Sequence, residues 1–409
     1  MRKVKRQITF VCQTFYPESQ STSQLFTDLL SSMDESKFEI TVICGFPSLA
    51  SDSSTGEVPR RERLRGIEII RCGARLDYKK NLFLRAICYL SYLLSASSRV
   101  LRHSRGGLVC AVTNPPFAPV WIWLLSLIGR FRYQIVCHDI YPDGLVAVGG
   151  MKASGLVASG WRAGNCKAFH GAEGVVVLGR DMRKLVQETY EVPDSQIHYI
   201  PNWSVIEPEA TPGAEETELW RSLGFKDKFV VQYSGNMGLW HDIDTLVRAA
   251  ARLTSESRIQ FLFIGDGRRK QRAFELAAEL EAKNITWLPF QQKERLADSL
   301  ACSHVSLISQ REGLNGVAVP CKIYGILAVG RGIVAMVPPE CEIDLVVSEE
   351  QCGVRIDPID DKGLSEAILR LSNDVSTTEE MGRNARDAYL EKYRLSNAVE
   401  SFRSIWEDA

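Results

Sequence analysis

Short apolar runs rich in β-branched residues recur along the chain and constrain its fold more than any other feature. The runs are continuous rather than alternating with polar residues, as in strands buried on both faces of a sheet. Segments of helical length separate them, which predicts parallel βαβ units and hence an α/β chain of two doubly wound sheets. The runs are ITFVCQ, FEITVIC, GIEIIRC, GLVCAVT, YQIVCH, GVVVLG and IHYIP in the first half, and FVVQYSG, IQFLFIG, ITWLPF, VSLIS, GIVAMV and CGVRI in the second.

An acidic segment without strand or helix periodicity, residues 203–222, separates the two sets of runs. Its prolines and glycine are typical of an interdomain linker. We therefore predict an N-terminal Rossmann-like domain over 1–203, a linker over 204–222 and a C-terminal Rossmann-like domain over 223–385. Residues 386–409 have apolar positions at helical spacing, which predicts helices that pack back on the N-terminal domain.

Charge and cysteine content narrow the class of protein. A formal net charge of −1 argues against nucleic-acid binding through bulk charge. The 11 cysteines lie mostly inside apolar runs and form no CxxC or Cys/His cluster, as in a cytoplasmic protein with reduced thiols. The first apolar run is too short for a secretory signal.

Two longer apolar segments, 82–101 and 117–129, are each followed by arginines and leave two interpretations open. They are either buried helices or a surface in peripheral contact with the cytoplasmic leaflet of a membrane.

Ligands of doubly wound folds bind at the carboxyl ends of the strands, so the segments after the apolar runs are the candidate sites. In CHDIYPDG, His138 lies beside a carboxylate, a pair that orients a hydroxyl group or simply closes a turn. Glycine turns at Gly235 and at 265–267 fit either an anion cradle or tight strand–helix corners. No GxGxxG or Walker lysine is present, which disfavours a dinucleotide-dependent oxidoreductase.

The stretch REGLNGVAVPCKIYG, residues 311–325, combines several groups suited to a phosphorylated sugar. Glu312 could accept hydrogen bonds from sugar hydroxyls, the amides of 314–317 could face a diphosphate, and Lys322 adds a positive charge. The alternative is a surface loop closed by a salt bridge. We predict a ligand-binding loop, because these groups follow a strand end.

These motifs in this order resemble the retaining glycosyltransferases of family 4 (group 1), and the resemblance runs along nearly the whole chain. It includes FYPE, TNPPF, HDIYPD, AEGVVVLG, HYIPNW, YSGNMG, FIGDG and VPCKIYGILAVGRGIV. HDIYPDGLVAVG together with VPCKIYGILAVG is similar to a branch that builds bacterial surface polysaccharides, including N-acetylfucosamine-type transferases. The resemblance implies a GT-B fold, two Rossmann-like domains facing a cleft, and a sugar nucleotide donor that we expect to be a UDP-sugar.

The resemblance also implies site residues. It places His138 against the donor sugar and Glu312 as the first glutamate of the E-x7-E signature, and with Lys322 these are the predicted catalytic residues. The chain departs from the family pattern at Gly325, where a second glutamate usually holds the ribose. Asn236 and His241 replace the usual arginine–lysine pair. The predicted donor-binding residues are Gly235, Asn236, His241, Asp266, Asn315, Gly316, Val317 and Tyr324.

The expected partners are a nucleotide sugar, carrying an N-acetylated or 6-deoxy hexose, and a glycan or polyprenyl-diphosphate-linked sugar as acceptor. No nucleic acid or cofactor is expected. No metal is expected either, because Asp242 and Asp244 fit the start of a helix better than a metal site. Two alternatives stay open on these residues: a nucleotide-sugar 2-epimerase of the same fold and a non-catalytic sugar-nucleotide-binding protein.

Overall fold

The chain forms two compact units, and the computed structural model describes residues 5–408 except 19, 48–57 and 77–81. Each unit contains one parallel or mostly parallel sheet covered by helices, which confirms the predicted fold class. Unit 1 comprises Met1–Val205, Gly316–Ala318 and Leu395–Ala409, and unit 2 comprises Ile206–Asn315 and Val319–Arg394. Most of the segment expected to be a linker is therefore counted with unit 2, and the C-terminal part of unit 1 begins at Leu395 rather than at residue 386.

The sheet of unit 1 is eight-stranded over the described ranges. Its strands are β1 (Arg6–Val11), β2 (Phe38–Gly45), β3 (Arg61–Leu64), β4 (Ile67–Cys72), β5 (Leu108–Val112), β6 (Arg132–Cys137), β7 (Gly174–Val177) and β8 (Ile197–Tyr199). They lie in the order β3-β4-β2-β1-β5-β6-β7-β8, and only the pair β3–β4 is antiparallel. Every apolar run of the first half forms one of these strands. The helices before unit 2 are α1 (Ser21–Ser31), α2 (Leu82–His103), α3 (Ala118–Gly129), α4 (Asp143–Ala147), α5 (Leu156–His170) and α6 (Arg180–Tyr190).

The sheet of unit 2 is parallel throughout and has the order β11-β10-β9-β12-β13-β14. Its strands are β9 (Phe229–Ser234), β10 (Ile259–Ile264), β11 (Ile285–Leu288), β12 (Val305–Ser309), β13 (Gly332–Met336) and β14 (Gly353–Ile356). Its helices are α7 (Glu218–Leu223), α8 (Ile243–Arg252), α9 (Lys270–Glu279), α10 (Leu296–Ala301), α11 (Lys322–Ala328), α12 (Glu342–Glu349), α13 (Asp361–Asn373) and α14 (Val375–Lys392). Strand β9 is central, so the loops that follow β9 and its neighbours β10 and β12 lie side by side.

The last helix, α15 (Leu395–Asp408), belongs to unit 1. Ala398, Phe402 and Trp406 recur every four residues and are buried in the core of this unit. The ring of Trp406 packs edge-on against Phe38 at 5.9 Å, and its carbonyl accepts a hydrogen bond of 2.9 Å from Arg6. The predicted return of the C-terminal helix to the N-terminal domain is thereby confirmed.

The two longer apolar segments form α2 and α3, and neither helix is fully buried. Tyr92 and Ile122 face the core, and Trp121 of α3 donates a hydrogen bond of 3.0 Å to Ser97 of α2. The opposite faces carry exposed apolar side chains, which we call the apolar patch: Phe83, Leu90, Leu94, Leu124, Leu127 and Ile128, exposed by 48% to 74%. In the part of the chain that the structure describes, no helix is long and apolar enough to cross a bilayer.

Candidate functional site

Two glycine turns lie next to each other at the carboxyl ends of β9 and β10. Gly235 and Gly265 both have positive φ, at 144° and 136°, and Gly235 donates its amide to Ile264 at 2.9 Å. A Cβ on Gly265 would lie 2.0 Å from the carbonyl oxygen of Gly235. Only glycine therefore fits at 265, and the close approach of the two turns depends on it.

Lys322, the first residue of α11, places a cation beside the Gly235 turn. Its Nζ donates a hydrogen bond of 2.8 Å to the Tyr233 hydroxyl and lies 4.0 Å from the centre of the Tyr233 ring. A Cβ on Gly235 would be 3.4 Å from Nζ. No ion pair with Lys322 is found among the described residues, and burial lowers the pKa of its ammonium to about 7. The site thus holds a cation without a countercharge.

His241 is adjacent and is uncharged at neutral pH. Burial first, and then the positive charge of Lys322, lower the pKa of His241 to about 3. Its Nδ1 donates to the Ser309 carbonyl at 2.6 Å, which leaves Nε2 as an acceptor. The Ser309 hydroxyl accepts the amide of Asp242 at 2.9 Å. His241 can therefore offer only an uncharged polar group, not the positive charge of the arginine–lysine pair that it replaces.

The other predicted donor-binding residues of unit 2 differ in their accessibility. Asn236, Asp266 and Glu312 are exposed, and Asp266 accepts a hydrogen bond of 2.8 Å from the amide of Gly267. Asn315 donates its side-chain amide to the Pro339 carbonyl at 2.8 Å.

Tyr324 does not fit the predicted role in donor binding. Its side chain is 1% exposed and packs against Tyr393 at 5.4 Å. A side-chain contact between Tyr324 and a donor is therefore not supported, because the helix face that carries it turns into the core.

In unit 1, His138 follows β6 and is held by its backbone. The Thr113 hydroxyl accepts the amides of His138 at 3.0 Å and of Asp139 at 3.2 Å. The His138 ring packs against Phe26 at 5.0 Å, and burial lowers its pKa to about 4. His138 is therefore neutral at physiological pH and can contact a sugar only as a polar, uncharged group.

Gly316 and Val317, which were expected to donate amides to a diphosphate, are counted with unit 1. The amide of Gly316 donates to the Asp181 carboxylate at 2.8 Å, and the carbonyl of Val317 accepts the amide of Ile140 at 2.9 Å. The Gly316 amide is thus already satisfied by a buried carboxylate. In this conformation the amide is therefore not free to bind a phosphate.

Sequence reasoning missed the hydroxyl groups that support the site. Tyr233 and Ser309 lie within the last two residues of β9 and β12, and Thr113 directly follows β5. The Tyr233 hydroxyl contacts Lys322, the Ser309 hydroxyl accepts the amide of Asp242 next to His241, and the Thr113 hydroxyl accepts the amide of His138. The available signal was a hydroxyl side chain at the carboxyl end of a buried strand, where the fold already places ligands.

Family comparisons match both units. Residues 23–203 match the family described as "Glycosyl transferase 4-like domain". Residues 215–388 match the family described as "Glycosyl transferases group 1". The second match contains the Gly235 and Gly265 turns, His241 and Lys322, and the first contains His138.

Individual proteins also resemble the chain. It is 29% identical over 306 residues, 74% of each chain, to "Probable glycosyltransferase WbjE" of Pseudomonas aeruginosa. It is 28% identical over 211 residues, 51% of each chain, to WcaI of Escherichia coli (strain K12), a candidate colanic acid biosynthesis glycosyl transferase. The crystal structure of Anabaena Alr3699/HepE in complex with UDP-glucose has a TM-score of 0.72 at 15% identity, covering 98% of this chain and 100% of that chain. The last likeness concerns the fold alone.

Proposed function

The chain is a glycosyltransferase with the GT-B fold, and we propose that it transfers a sugar from a UDP-sugar to a glycan or polyprenyl-diphosphate-linked acceptor in surface polysaccharide synthesis. The expected sugar is an N-acetylated or 6-deoxy hexose, transferred with retention at the anomeric carbon. The UDP-glucose bound by HepE supports the donor class, and the colanic acid assignment of WcaI supports the product class.

One observation carries this proposal: the uncompensated ammonium of Lys322 beside the Gly235 turn. Keeping a cation in a partly buried place without a carboxylate costs free energy, because desolvation is not offset by an opposite charge. A diphosphate would supply the missing charge. The group also acts where negative charge develops when the sugar–phosphate bond breaks, which is the form of electrostatic stabilisation that accelerates group transfer.

The proposed reaction breaks the bond between the anomeric carbon and the β-phosphate oxygen, and the electron pair of that bond stays on the phosphate. The acceptor oxygen forms its bond to the same face of the anomeric carbon. The proton of the acceptor hydroxyl passes to the leaving phosphate. Lys322 stabilises the phosphate charge, and neutral His138 gives a polar contact to the sugar.

The substitution Lys322→Met tests the donor assignment. Methionine keeps most of the apolar length, so we expect a folded protein whose melting temperature no longer rises with UDP. Turnover should fall at least a hundredfold, since preorganised electrostatic contacts are typically worth about 2.7–4 kcal/mol. The matched control is Lys362→Met, because Lys362 is a lysine of unit 2 with a 72% exposed side chain. Equal UDP binding by the Lys322→Met and wild-type proteins would contradict the assignment.

A 2-epimerase and a non-catalytic binding protein, the two remaining alternatives, are distinguished from a transferase by what happens to the UDP-sugar. Incubation with a UDP-sugar alone should release UDP slowly and return no epimer, whereas a 2-epimerase would convert the donor. A binding protein would be stabilised by UDP-sugar without consuming it. Glu312→Ala adds a second comparison, because the loss of a contact to sugar hydroxyls should weaken UDP-sugar binding while leaving UDP binding intact.

We also propose that the apolar patch contacts a membrane surface that presents the lipid-linked acceptor. Exposed arginines lie at the carboxyl ends of both helices, Arg102 in the last turn of α2, Arg105 after α2 and Arg130 after α3. This combination favours anionic lipid. We expect cosedimentation with phosphatidylglycerol vesicles and loss of it in the double variant Leu127→Ser, Ile128→Ser. Val375→Ser in unit 2 is the control, since Val375 is 47% exposed but lies outside the patch.

A further inference from the structure

The two faces of the edge strand β3 differ in charge. In its antiparallel ladder with β4, Arg61 lies opposite Ile70 and Arg63 lies opposite Glu68. Residues directly opposite each other in such a ladder point to the same face of the sheet. Both arginines are exposed, and neither has an ion pair among the residues that the structure describes. On the other face, Glu62 pairs with a buried arginine, so the free positive charge of β3 lies on one face only.

The end of helix α2 lies on that same face, next to the arginines of β3. The carbonyl of His103, the last residue of α2, accepts a hydrogen bond of 3.1 Å from the Thr9 hydroxyl, which fixes the helix end to the sheet. Burial lowers the pKa of the His103 imidazole, the charge of Glu68 raises it, and the charges of Arg61 and Arg102 lower it again. One imidazole is therefore within electrostatic reach of arginines from both β3 and α2.

The end of α2 is also continuous with the apolar patch. A Cβ on Gly129, the last residue of α3, would lie 2.7 Å from Cδ2 of Leu101, so the two helix ends are in contact. Arg102 follows Leu101 in the chain, and Ile128 of the apolar patch and Arg130 flank Gly129. Positive and apolar side chains therefore adjoin each other at this end of the two helices.

Four exposed arginines without an ion pair within the described ranges form what we call the basic surface: Arg61, Arg63, Arg102 and Arg105. Two acidic side chains share this face of the sheet. They are Glu68 and Glu39, since Glu39 lies two residues before Thr41, the partner of Glu68 in the β2–β4 ladder. The arginines outnumber them, although the formal net charge of the chain is −1. The positive charge is therefore a local property of this surface.

Structural roles explain part of this arrangement. Cations are favoured at the carboxyl end of a helix, which accounts for Arg102 and Arg105. Charge on an edge strand discourages pairing with other chains, and either sign of charge serves that purpose. Neither effect explains why Arg61 and Arg63 are both positive on the face that α2 shares.

We propose that the basic surface binds the anionic phospholipid headgroups of a membrane leaflet, beside the apolar patch. Two observations favour this partner: the charge is complementary to phosphate, and the basic surface is continuous with apolar side chains that fit a bilayer interface. Guanidinium groups also donate paired hydrogen bonds to phosphate oxygens. The inference rests on the proposed function, because a lipid-linked acceptor is what brings the enzyme to a membrane. It adds a strand outside both helices and a separate, salt-sensitive force.

Cosedimentation with two kinds of vesicle tests the basic surface. One kind is pure phosphatidylcholine, and the other is phosphatidylcholine mixed with phosphatidylglycerol. We expect the wild-type protein to prefer the mixed vesicles at low salt and to lose that preference at high salt. The double variant Arg61→Gln, Arg63→Gln should bind the mixed vesicles about twentyfold more weakly, since each basic side chain near an anionic leaflet typically contributes about fivefold. Its binding to phosphatidylcholine should be unchanged.

The matched control is the double variant Arg221→Gln, Arg248→Gln, which removes two exposed arginines of unit 2 that have no ion pair with a described residue. It changes the net charge equally and should bind both kinds of vesicle as the wild-type protein does. Arg61→Lys with Arg63→Lys should retain most of the binding, because the charge is kept. Leu127→Ser with Ile128→Ser should differ from all of these by weakening binding to both kinds of vesicle.

An acidic residue of the same face gives a readout of opposite sign. Glu68→Gln removes a negative charge beside Arg63 and His103. Its affinity for the mixed vesicles should therefore rise by up to about fivefold, with no change on phosphatidylcholine. A gain of binding distinguishes an electrostatic role from simple damage to the fold, which would lower binding.

The outcomes separate this inference from the proposed function. Equal binding of the mixed vesicles by Arg61→Gln, Arg63→Gln and the wild-type protein would overturn the basic surface. So would an equal loss in the unit 2 control, which would indicate an effect of net charge, or a wild-type protein that binds both kinds of vesicle alike at low salt. A wild-type protein that binds neither kind would overturn the apolar patch as well. The rise of the melting temperature with UDP is measured without vesicles, so its absence would contradict the proposed donor alone.

Discussion

The unusual chemistry of unit 2 is concentrated in Lys322 and in the groups that hold it. Among the described residues, the groups found in contact with its ammonium are the hydroxyl and the ring face of Tyr233, and both are neutral. Burial therefore shifts its pKa to about 7, and the lysine titrates in the physiological range while it has no ligand. His241 and His138, with pKa values of about 3 and about 4, are already neutral in this range, so of these three groups Lys322 is the one that titrates there.

The affinity for UDP should consequently depend on pH. A bound diphosphate favours the protonated lysine, whereas the unliganded protein loses that proton above about pH 7. The Kd for UDP should therefore rise by up to about tenfold per pH unit between pH 7.5 and 9. Each pH unit above the pKa of Lys322 in the unliganded protein lowers the fraction with a protonated lysine tenfold, and this is the fraction that binds the diphosphate. Isothermal titration calorimetry in buffers of equal ionic strength measures this slope.

The control for this slope is Lys322→Arg, whose guanidinium stays protonated throughout the range. Its Kd for UDP should change little between pH 7.5 and 9, even if the larger side chain weakens binding overall. A wild-type Kd that is equally flat would show that Lys322 does not meet the diphosphate.

At the scale of single elements, α8 explains the Asp-x-Asp pair that could be mistaken for a metal site. Asp242 is the N-cap of this helix and accepts the Thr245 amide at 3.3 Å and the Thr245 hydroxyl at 2.6 Å. Asp244 lies in the first turn and pairs with Arg269 at 3.6 Å. Both carboxylates are therefore used by the fold, as their position at a helix start predicted.

Removal of the cap should affect stability rather than metal dependence. Asp242→Ala should lower the free energy of unfolding by about 0.5–2 kcal/mol, the usual cost of losing an N-cap. Asp242→Asn should lose much less, because asparagine also caps helices. Urea denaturation measures both variants. UDP-sugar turnover by the wild-type protein should be unchanged after EDTA treatment. If EDTA abolished turnover and Mg²⁺ or Mn²⁺ restored it, Asp242 and Asp244 would have a role beyond stabilising the start of α8.

The elements also show where pattern reading works and where it fails. The apolar runs predicted their strands because burial on both faces leaves a continuous β-branched signature. Strand β3 was not predicted, since RERL is charged and half exposed at the edge of the sheet and forms its ladder only with β4. Edge strands are expected to be short and charged, and this protects them from pairing with other chains.

At the scale of the whole molecule, helix α15 packs into the same hydrophobic core as β1, α1 and β2. Trp406 of α15 is 1% exposed and packs in the same cluster as Phe10, Phe26 and Phe38. Residues separated by most of the sequence therefore stabilise one unit together, and unit 1 depends on the last helix for its stability.

Trp406→Ala should destabilise the protein strongly. Truncation of a fully buried aromatic side chain typically costs about 3–5 kcal/mol, and we expect a loss of this size in urea denaturation. Ser404→Ala is the control on the same helix, because Ser404 is exposed and such changes usually stay within about 0.5 kcal/mol. A small effect of Trp406→Ala would mean that α15 is dispensable for the core of unit 1.

The sequence by itself determined the fold class, the return of the C-terminal helix and the position of Lys322 after a strand and a glycine-containing loop. These follow from periodicity and from the rule that ligands lie at strand ends, both of which are local properties. Only the tertiary structure decided which groups are free to act. It buried Tyr324, neutralised His241 and satisfied the amide of Gly316 with Asp181. Burial and hydrogen-bond pairing depend on neighbours that are distant in the chain, and no local pattern encodes them.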